Sequence, residues 1–251
     1  SNQGLAPLLK TKWSQETSGY DNWIVPAAKS LRTDLGVAPT EYNIKWLAAW
    51  VREFGIDGFR VDTAKHVEPF RWGQLKDACN TALKEWRVAN PTKAGANWDD
   101  DFWMTGEVYN TGVEYKAEYF ETGKFDSLIN FFFPKDGNLN TINNTYQDIA
   151  SKVNTKDNWN VLSYISSHDE GLTRANMTNL GTALLLSPGG VQIFYGDETN
   201  RPGSETCSDK DQPSRSDMNW SSVNQSTLNH WQIIGTFRKN HPSIGAGTHT
   251  V

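Results

Sequence analysis

An arginine and an aspartate stand two residues apart near the end of a short apolar segment, at Arg60 and Asp62. If residues 58–62 form a β-strand, side chains alternate between its faces, so Arg60 and Asp62 share one face. Charged groups are costly on a largely buried strand unless they satisfy each other or take part in chemistry. The pair therefore indicates either a structural ion pair or a reactive carboxylate that a guanidinium holds ionised.

Ionisable residues also end three later apolar segments. In chain order they are Glu107, His168 with Asp169, and Glu198. Such groups could bind a divalent metal, carry out acid–base chemistry, or be solvated loop charges. No set of metal ligands at close sequence spacing accompanies them. Two carboxyl groups, one ionised and one protonated, suit the cleavage of a glycosidic bond, which makes sugar chemistry the leading interpretation.

Five apolar segments alternate with segments of helical periodicity. The predicted strands are 58–62, 102–108, 127–133, 161–169 and 191–198, and the predicted helices are 41–54, 69–89, 141–153, 177–186 and 226–239. This alternation is typical of an α/β fold with a parallel sheet. Parallel strands end at the same edge, so the ionisable groups should emerge together there, as they do in a (β/α)8 barrel. An open doubly wound sheet would place them similarly, but no glycine fingerprint for a dinucleotide or phosphate follows any strand.

Composition narrows the class of partner. The chain of 251 residues has a formal net charge of −5, which argues against nucleic acid, since that partner requires a surplus of Lys and Arg. It also contains 11 Trp, 8 Tyr and 11 Phe, and aromatic faces suit neutral sugars. No apolar run is long enough to cross a membrane, and no targeting segment is visible. Cys79 and Cys207 permit one disulfide but do not require it.

Four segments resemble motifs of the α-amylase family of retaining glycoside hydrolases. Gly58–His66 is similar to the motif of that family's fourth barrel strand, Thr105–Val108 to the fifth, Ser163–Asp169 to the seventh, and Phe194–Glu198 to the end of the eighth. They occur in the family's order, with Glu107 45 residues after Asp62 and Asp169 62 residues after Glu107. Within the family, Arg201-Pro202 and Arg215–Trp220 most resemble the periplasmic members of Gram-negative bacteria.

The resemblance implies a role for each matching residue. Asp62 would be the nucleophile that forms a covalent glycosyl-enzyme, and Glu107 would be the acid and base. Asp169 would stabilise the distorted sugar. The substrate-binding residues implied around them are Arg60, Lys65, His66 and His168. The substrate would be a starch-like α-1,4-glucan or a maltooligosaccharide.

The surroundings of the two principal carboxyl groups agree with this division of roles. Arg60 should keep Asp62 ionised, whereas the apolar residues before Glu107 should favour its protonated form. A retaining mechanism then predicts that the two carboxyl groups lie about 5 to 5.5 Å apart. The resemblance also implies a structural calcium, with the backbone carbonyl of His66 as a ligand, and a periplasmic or secreted location.

One motif of the family is not found. The first motif follows the third barrel strand and supplies an aspartate and a histidine to the same sugar. We therefore expect a partial (β/α)8 barrel that contains strands 4 to 8 with their helices. In this interpretation 41–242 is the second half of the barrel. Residues 1–40 form an irregular linker before it, and 243–251 begin a further linker after it. The missing N-terminal half would belong to the intact protein. A transglycosylase, an α-glucosidase and a non-catalytic sugar-binding fragment remain alternatives.

Overall fold

The computed structural model describes residues 39–153, 155–203 and 212–250. The predicted linker 1–40 lies outside the described residues except for its last two, and Cys207 lies outside them as well. Strands and helices alternate along the described chain, so the predicted α/β fold is confirmed. None of the helices in these ranges is long and apolar enough to cross a membrane.

The elements are numbered here in chain order. The α-helices are α1 (Pro39–Phe54), α2 (Pro69–Ala89), α3 (Ile142–Val153), α4 (Met177–Leu185), α5 (Gln225–Asn240) and α6 (Ser243–Ala246). The strands are β1 (Gly58–Val61), β2 (Trp103–Gly106), β3 (Ser127–Asn130), β4 (Val161–Ser163) and β5 (Gly190–Val191). Short helices of other types cover Ala64–His66, Glu118–Thr122, Gln212–Arg215 and Trp220–Ser222. The strands form one sheet in chain order, and the pairs from β2 to β5 are parallel.

The described chain divides into two compact units. The described residues of the first unit are 39–104 and 117–125, and those of the second are 105–116 and 126–250, apart from the gaps given above. Strand β2 contributes its first two residues to the first unit and its last two to the second.

The first unit is built on the packing of α1 against α2. Pro69 stands at the start of α2, where its missing N–H costs nothing, and Leu75, Cys79 and Leu83 lie on the buried face. Gly55 ends α1 with a φ of +67°, and a Cβ there would lie 2.4 Å from the Trp86 ring. Both constraints require glycine at the turn that leads into β1.

The second unit has a core formed by the buried faces of α3, α4 and β4 together with Trp231 of α5. Its buried members are Phe133, Ile149, Val153, Val161, Ile165, Met177, Leu180, Ala183, Leu184, Leu185 and Trp231. The Trp231 indole N–H donates to the Met177 carbonyl at 2.9 Å. This bond satisfies the one polar atom of the ring and joins α5 to the start of α4.

Small polar residues link the strands of the second unit. In the parallel register Thr105 is opposite Ser127, and Asn130 is opposite Ser163. The Ser127 hydroxyl donates to Thr105 Oγ1 at 2.8 Å, and the Asn130 amide donates to Ser163 Oγ at 3.0 Å. These side chains are buried and satisfy one another, so none of the four is left without a hydrogen-bond partner.

All five strands are shorter than the sequence predicts, and β4 and β5 differ most from their predicted bounds. The predicted strand 161–169 ends at Ser163, and the predicted strand 191–198 ends at Val191. Beyond Val191 the ladder continues by one bond, from Gln192 N to the Ser163 carbonyl at 2.8 Å. The chain then folds into a turn at Gly196, whose φ is +84°. Apolar composition therefore continues past the point at which backbone pairing stops.

Candidate active site

Arg60 and Asp62 form an ion pair in the first unit. Arg60 Nη1 lies 2.5 Å from Asp62 Oδ1. Val61 between them is buried, whereas their side chains are 35% and 64% exposed, as expected where alternate residues of a strand face opposite sides. The aspartate is thus held by a cation and is still accessible to a ligand.

Lys65 and His66 follow on the short helix Ala64–His66. The Trp72 indole N–H donates to the Ala64 carbonyl at 2.9 Å, which attaches this helix to α2. Thr63 precedes it with a left-handed φ of 46°. The side chains of Lys65 and His66 are both exposed, so the turn presents two basic groups to solvent three and four residues after Asp62.

Glu107 directly follows β2 in the second unit and is only 9% exposed. The Tyr164 phenol is near it. Burial raises the pKa of Tyr164, and the hydrogen bond from its hydroxyl to Glu170, together with the negative charges of Glu170 and Glu107, raises it further. Glu107 therefore occupies a confined site beside a phenol that stays protonated at neutral pH.

Three aromatic rings lie in a row across the ends of β2, β3 and β4. Tyr109 and Phe131 have centroids 5.4 Å apart, and Phe131 and Tyr164 have centroids 5.9 Å apart, both in edge-on contacts. Lys135 Nζ lies 4.5 Å from the Tyr164 centroid and 2.5 Å from Glu170 Oε2. Tyr109 is 59% exposed whereas Tyr164 is buried, so only the Tyr109 end of the row offers an open aromatic face of the kind that packs against sugar rings.

His168 and Asp169 contact each other and a third residue, Arg215. His168 Nε2 lies 2.9 Å from Asp169 Oδ2, and Arg215 Nη2 lies 3.1 Å from Asp169 Oδ1. The Asp169 side chain is 51% exposed. Sequence reasoning used Arg215 only as part of a family likeness and did not assign it to the site, because a partner 46 residues away leaves no local signal.

A buried polar network in the same unit was also missed. Arg174 Nη1 pairs with Asp197 Oδ1 at 2.8 Å, and its Nε donates to the Arg201 carbonyl. Asp197 and Arg201 are both 0% exposed. Burial raises the pKa of the Asp197 carboxyl, and the Arg174 guanidinium opposes that effect. Residue type alone carries no signal that a charged residue at or beyond the end of a predicted strand is buried.

The structure groups the predicted site residues as follows. Arg60, Asp62, Lys65 and His66 belong to the first unit, and Glu107, His168 and Asp169 belong to the second. The structure brings Arg60 to Asp62 and His168 to Asp169. The predicted separation of the two principal carboxyl groups and their predicted protonation states stay predictions.

The calcium prediction finds no support in an acidic cluster. Among residues 39–153, 155–203 and 212–250, no group of three or more His, Cys, Asp or Glu side chains is placed to hold a metal ion. A calcium ion takes about six to eight oxygen ligands, and the His66 carbonyl would be only one of them. The calcium site stays a prediction.

Sequence comparison finds close relatives. Residues 36–242 match the family model described as alpha amylase, catalytic domain. The chain is 45% identical over 256 aligned positions to the periplasmic alpha-amylase of Escherichia coli strain K12, an alignment that covers 97% of this chain and 36% of that protein. It is 29% identical to an alpha-amylase of Streptomyces lividans, covering 65% of this chain and 19% of that protein. The chain thus spans about a third of the E. coli protein and less of the Streptomyces one.

Solved structures agree on the fold. An Anoxybacillus alpha-amylase superposes with a TM-score of 0.61 at 21% identity, over 92% of this chain and 54% of that one. The alpha-amylase of Geobacillus thermoleovorans, solved with acarbose, gives a TM-score of 0.56 at 18% identity, over 92% of this chain and 55% of that one. The predicted part of a (β/α)8 barrel is therefore confirmed. The four motifs occur in the family's order, the family model matches residues 36–242, and a relative is 45% identical to this chain. The chain therefore belongs to the alpha-amylase family of glycoside hydrolases.

Proposed function

We propose that this chain carries the residues for retaining hydrolysis of α-1,4-glucosidic bonds in starch-like glucans or maltooligosaccharides. The observation that carries the proposal is the state of Asp62, whose carboxylate is paired with Arg60 at 2.5 Å and yet is 64% exposed. An exposed ion pair adds little to stability, so the structural benefit of this pair is small. A nucleophile needs both a cation that keeps it ionised and access to substrate.

In the proposed first step, an Asp62 carboxylate oxygen attacks the anomeric carbon of the sugar. The bond from that carbon to the leaving glucan oxygen breaks, and Glu107 donates its proton to this oxygen. In the second step Glu107 removes a proton from water, the water oxygen attacks the same carbon, and the bond to Asp62 breaks. The two inversions leave the sugar with its original configuration.

The remaining residues bind and orient the sugar in this proposal. Asp169, fixed by His168 and Arg215, accepts hydrogen bonds from hydroxyls of the reacting ring as positive charge develops on it. His168 donates to the same ring. Lys65 and His66 contact the leaving-group side, and Tyr109, at the exposed end of the aromatic row, supports a neighbouring sugar.

Relatives support this substrate class. Structural neighbours include AmyP bound to maltose, a Glu-to-Gln variant of AmyP bound to maltotriose, and the Geobacillus thermoleovorans alpha-amylase bound to acarbose. The E. coli relative is named a periplasmic alpha-amylase, which supports a periplasmic or secreted location for this chain. Fractionation of cells that express the native gene would test the location directly.

The central experiment measures hydrolysis of an end-blocked maltooligosaccharide that releases a chromophore. The wild-type chain is compared with Asp62→Asn and with Asp57→Asn, a matched change of an exposed aspartate in the same unit. We expect Asp62→Asn to lose at least about 1,000-fold in rate, because no covalent intermediate can form without the carboxylate. Asp57→Asn should retain activity. Equal background rates in all three proteins would favour a non-catalytic sugar-binding module.

Two further measurements separate the related activities. A ring-fluorinated glucosyl fluoride should lose its anomeric fluoride and add one fluoroglucosyl mass to the wild-type chain and none to Asp62→Asn, which tests the covalent intermediate. Products from an unblocked maltooligosaccharide distinguish the alternatives: shorter glucans indicate hydrolysis within the chain, longer ones a transglycosylase, and glucose alone an α-glucosidase. An α-glucosidase would also fail on the blocked substrate.

A further inference from the structure

The segment Ser214–Ser216 contacts the His168–Asp169 end of the proposed site. The Ser214 hydroxyl donates to the His168 carbonyl at 2.8 Å. Arg215 donates from Nε to the same carbonyl at 3.4 Å and pairs through Nη2 with Asp169 at 3.1 Å. The position of Ser214–Ser216 therefore affects both the backbone carbonyl of His168 and the carboxylate of Asp169.

Arg201 is the residue that holds this segment. Its Nη2 donates to the Ser214 carbonyl at 2.9 Å, and its Nη1 donates to the Ser216 carbonyl at 3.0 Å and to the Ser216 hydroxyl. Its Nε donates to the Tyr195 carbonyl at 3.0 Å. The Arg201 guanidinium thus binds the first and the last residue of Ser214–Ser216 and connects them to the turn that follows β5.

The Arg201 side chain is unusual in its surroundings. It is 0% exposed, and the four acceptors named above are neutral carbonyl and hydroxyl oxygens. The Tyr195 ring covers it, with 3.9 Å between Arg201 Cζ and the ring centroid. Burying a guanidinium is costly unless its donors are satisfied, and the planar fork fixes several acceptors at once. The hydrogen bonds of Arg201 therefore fix the position of the Ser214–Ser216 backbone.

Gly196 leaves the space that Arg201 occupies. Its φ is +84°, and a Cβ there would lie 2.4 Å from Arg201 Cβ and 2.6 Å from Arg201 Nε. Any larger residue would therefore displace the arginine. The turn at the end of β5 and the arginine form one packed unit.

We propose that Arg201 is a positioning residue for the active site, which fixes Ser214–Ser216 so that Ser214 and Arg215 orient His168 and Asp169. The inference rests on the proposed function, because it assigns Asp169 a part in the reaction. Arg201 itself makes no contact with substrate in this proposal. Its loss should misplace Asp169 in the transition state more than it weakens ground-state binding.

Arg238 provides a matched control within the same unit. Its guanidinium also binds carbonyl groups, those of Leu185, Ser187 and Gly189, at 2.6 to 2.9 Å. A change to lysine at either arginine removes the same fork from a similar carbonyl cluster. Of these two arginines, only Arg201 is hydrogen-bonded to Ser214–Ser216. A general loss of stability should therefore appear in both lysine variants, whereas a loss of catalytic rate should appear only in Arg201→Lys.

The experiment measures kcat and KM on the blocked maltooligosaccharide for the full chain and its variants. We expect Arg201→Lys to lower kcat roughly 10- to 100-fold with KM changed less than about threefold, and Arg238→Lys to keep kcat within about twofold. Ser214→Ala, which removes one hydroxyl, should lower kcat roughly fivefold. It also keeps the inference testable if Arg201→Lys does not fold.

A double variant separates positioning from independent damage. If Arg201 acts through Ser214–Ser216, Arg201→Lys with Ser214→Ala should lose little more than Arg201→Lys alone. Multiplied losses, an unchanged kcat in Ser214→Ala, or equal losses in Arg201→Lys and Arg238→Lys would each overturn the inference while leaving the proposed function in place. Absence of hydrolysis by the wild-type chain would overturn the proposed function and this inference with it.

Discussion

Two arginine–aspartate pairs of similar geometry lie in very different surroundings. In the first unit, Arg60 and Asp62 are 2.5 Å apart, and their side chains are 35% and 64% exposed. In the second unit, Arg174 and Asp197 are 2.8 Å apart, and their side chains are 18% and 0% exposed. The same two residue types at nearly the same distance therefore differ in solvent access, and on that difference we propose different roles for them.

The energetic consequences differ accordingly. An exposed ion pair contributes about 0 to 1 kcal/mol to stability, because water competes for both charges. A buried pair contributes little more as a pair, but loss of one partner leaves the other charge without compensation. Asp197 should thus be needed for folding, whereas Asp62 should be available for chemistry at little cost to the fold.

The largest effect should follow removal of the buried carboxylate. We expect Asp197→Ala to lower the free energy of unfolding by about 3 to 5 kcal/mol, since Arg174 would be left largely buried without its counter-ion. Asp62→Ala should lower it by less than about 1 kcal/mol. Urea unfolding monitored by tryptophan fluorescence measures both. Similar losses for the two variants would show that exposure does not separate these pairs.

A smaller effect should follow a change of the exposed cation. Arg60→Lys keeps the charge but shortens the reach and removes the planar fork, so we expect activity to fall roughly 10- to 100-fold through misplacement of Asp62. The free energy of unfolding should change by less than about 1 kcal/mol. The matched control is Arg52→Lys, an exposed arginine of the same unit that pairs with Glu85. Equal activities in both variants would contradict a role for Arg60 in aiming Asp62.

The smallest effect should appear in the pH dependence of stability. Burial raises the pKa of Asp197 above its ordinary value of 3.8, so the folded chain holds that proton more tightly than the unfolded chain does. The stabilising contribution is therefore complete below about pH 3.8 and is lost as pH rises through the folded pKa. The difference in unfolding free energy between the wild type and Asp197→Asn should shrink as pH rises. A difference that grows with pH would mean that Arg174 outweighs burial.

Much of the fold could be predicted because it depends on local patterns. Helical periodicity located α1, α2 and α5 to within one or two residues, and apolar composition located all five strands. The ends of β4 and β5 could not be predicted, since the strands end at Ser163 and Val191, ahead of the Ser167–Gly171 bridge and the turn at Gly196. Those turns depend on contacts that apolar composition does not encode.

For the candidate site as well, some features could be predicted from the sequence and others could not. The sequence by itself determined the family, the order of its motifs, and the candidate residues Asp62, Glu107 and Asp169, because each motif is a short contiguous stretch whose chemistry follows from residue type. Only the tertiary structure decided that Arg215 holds Asp169, that Arg201 holds the segment carrying Arg215, and that Asp197 is buried while Asp62 is exposed. The reason is physical: a charge acquires its role from how much water and which partners surround it, and both are set by residues distant in the chain.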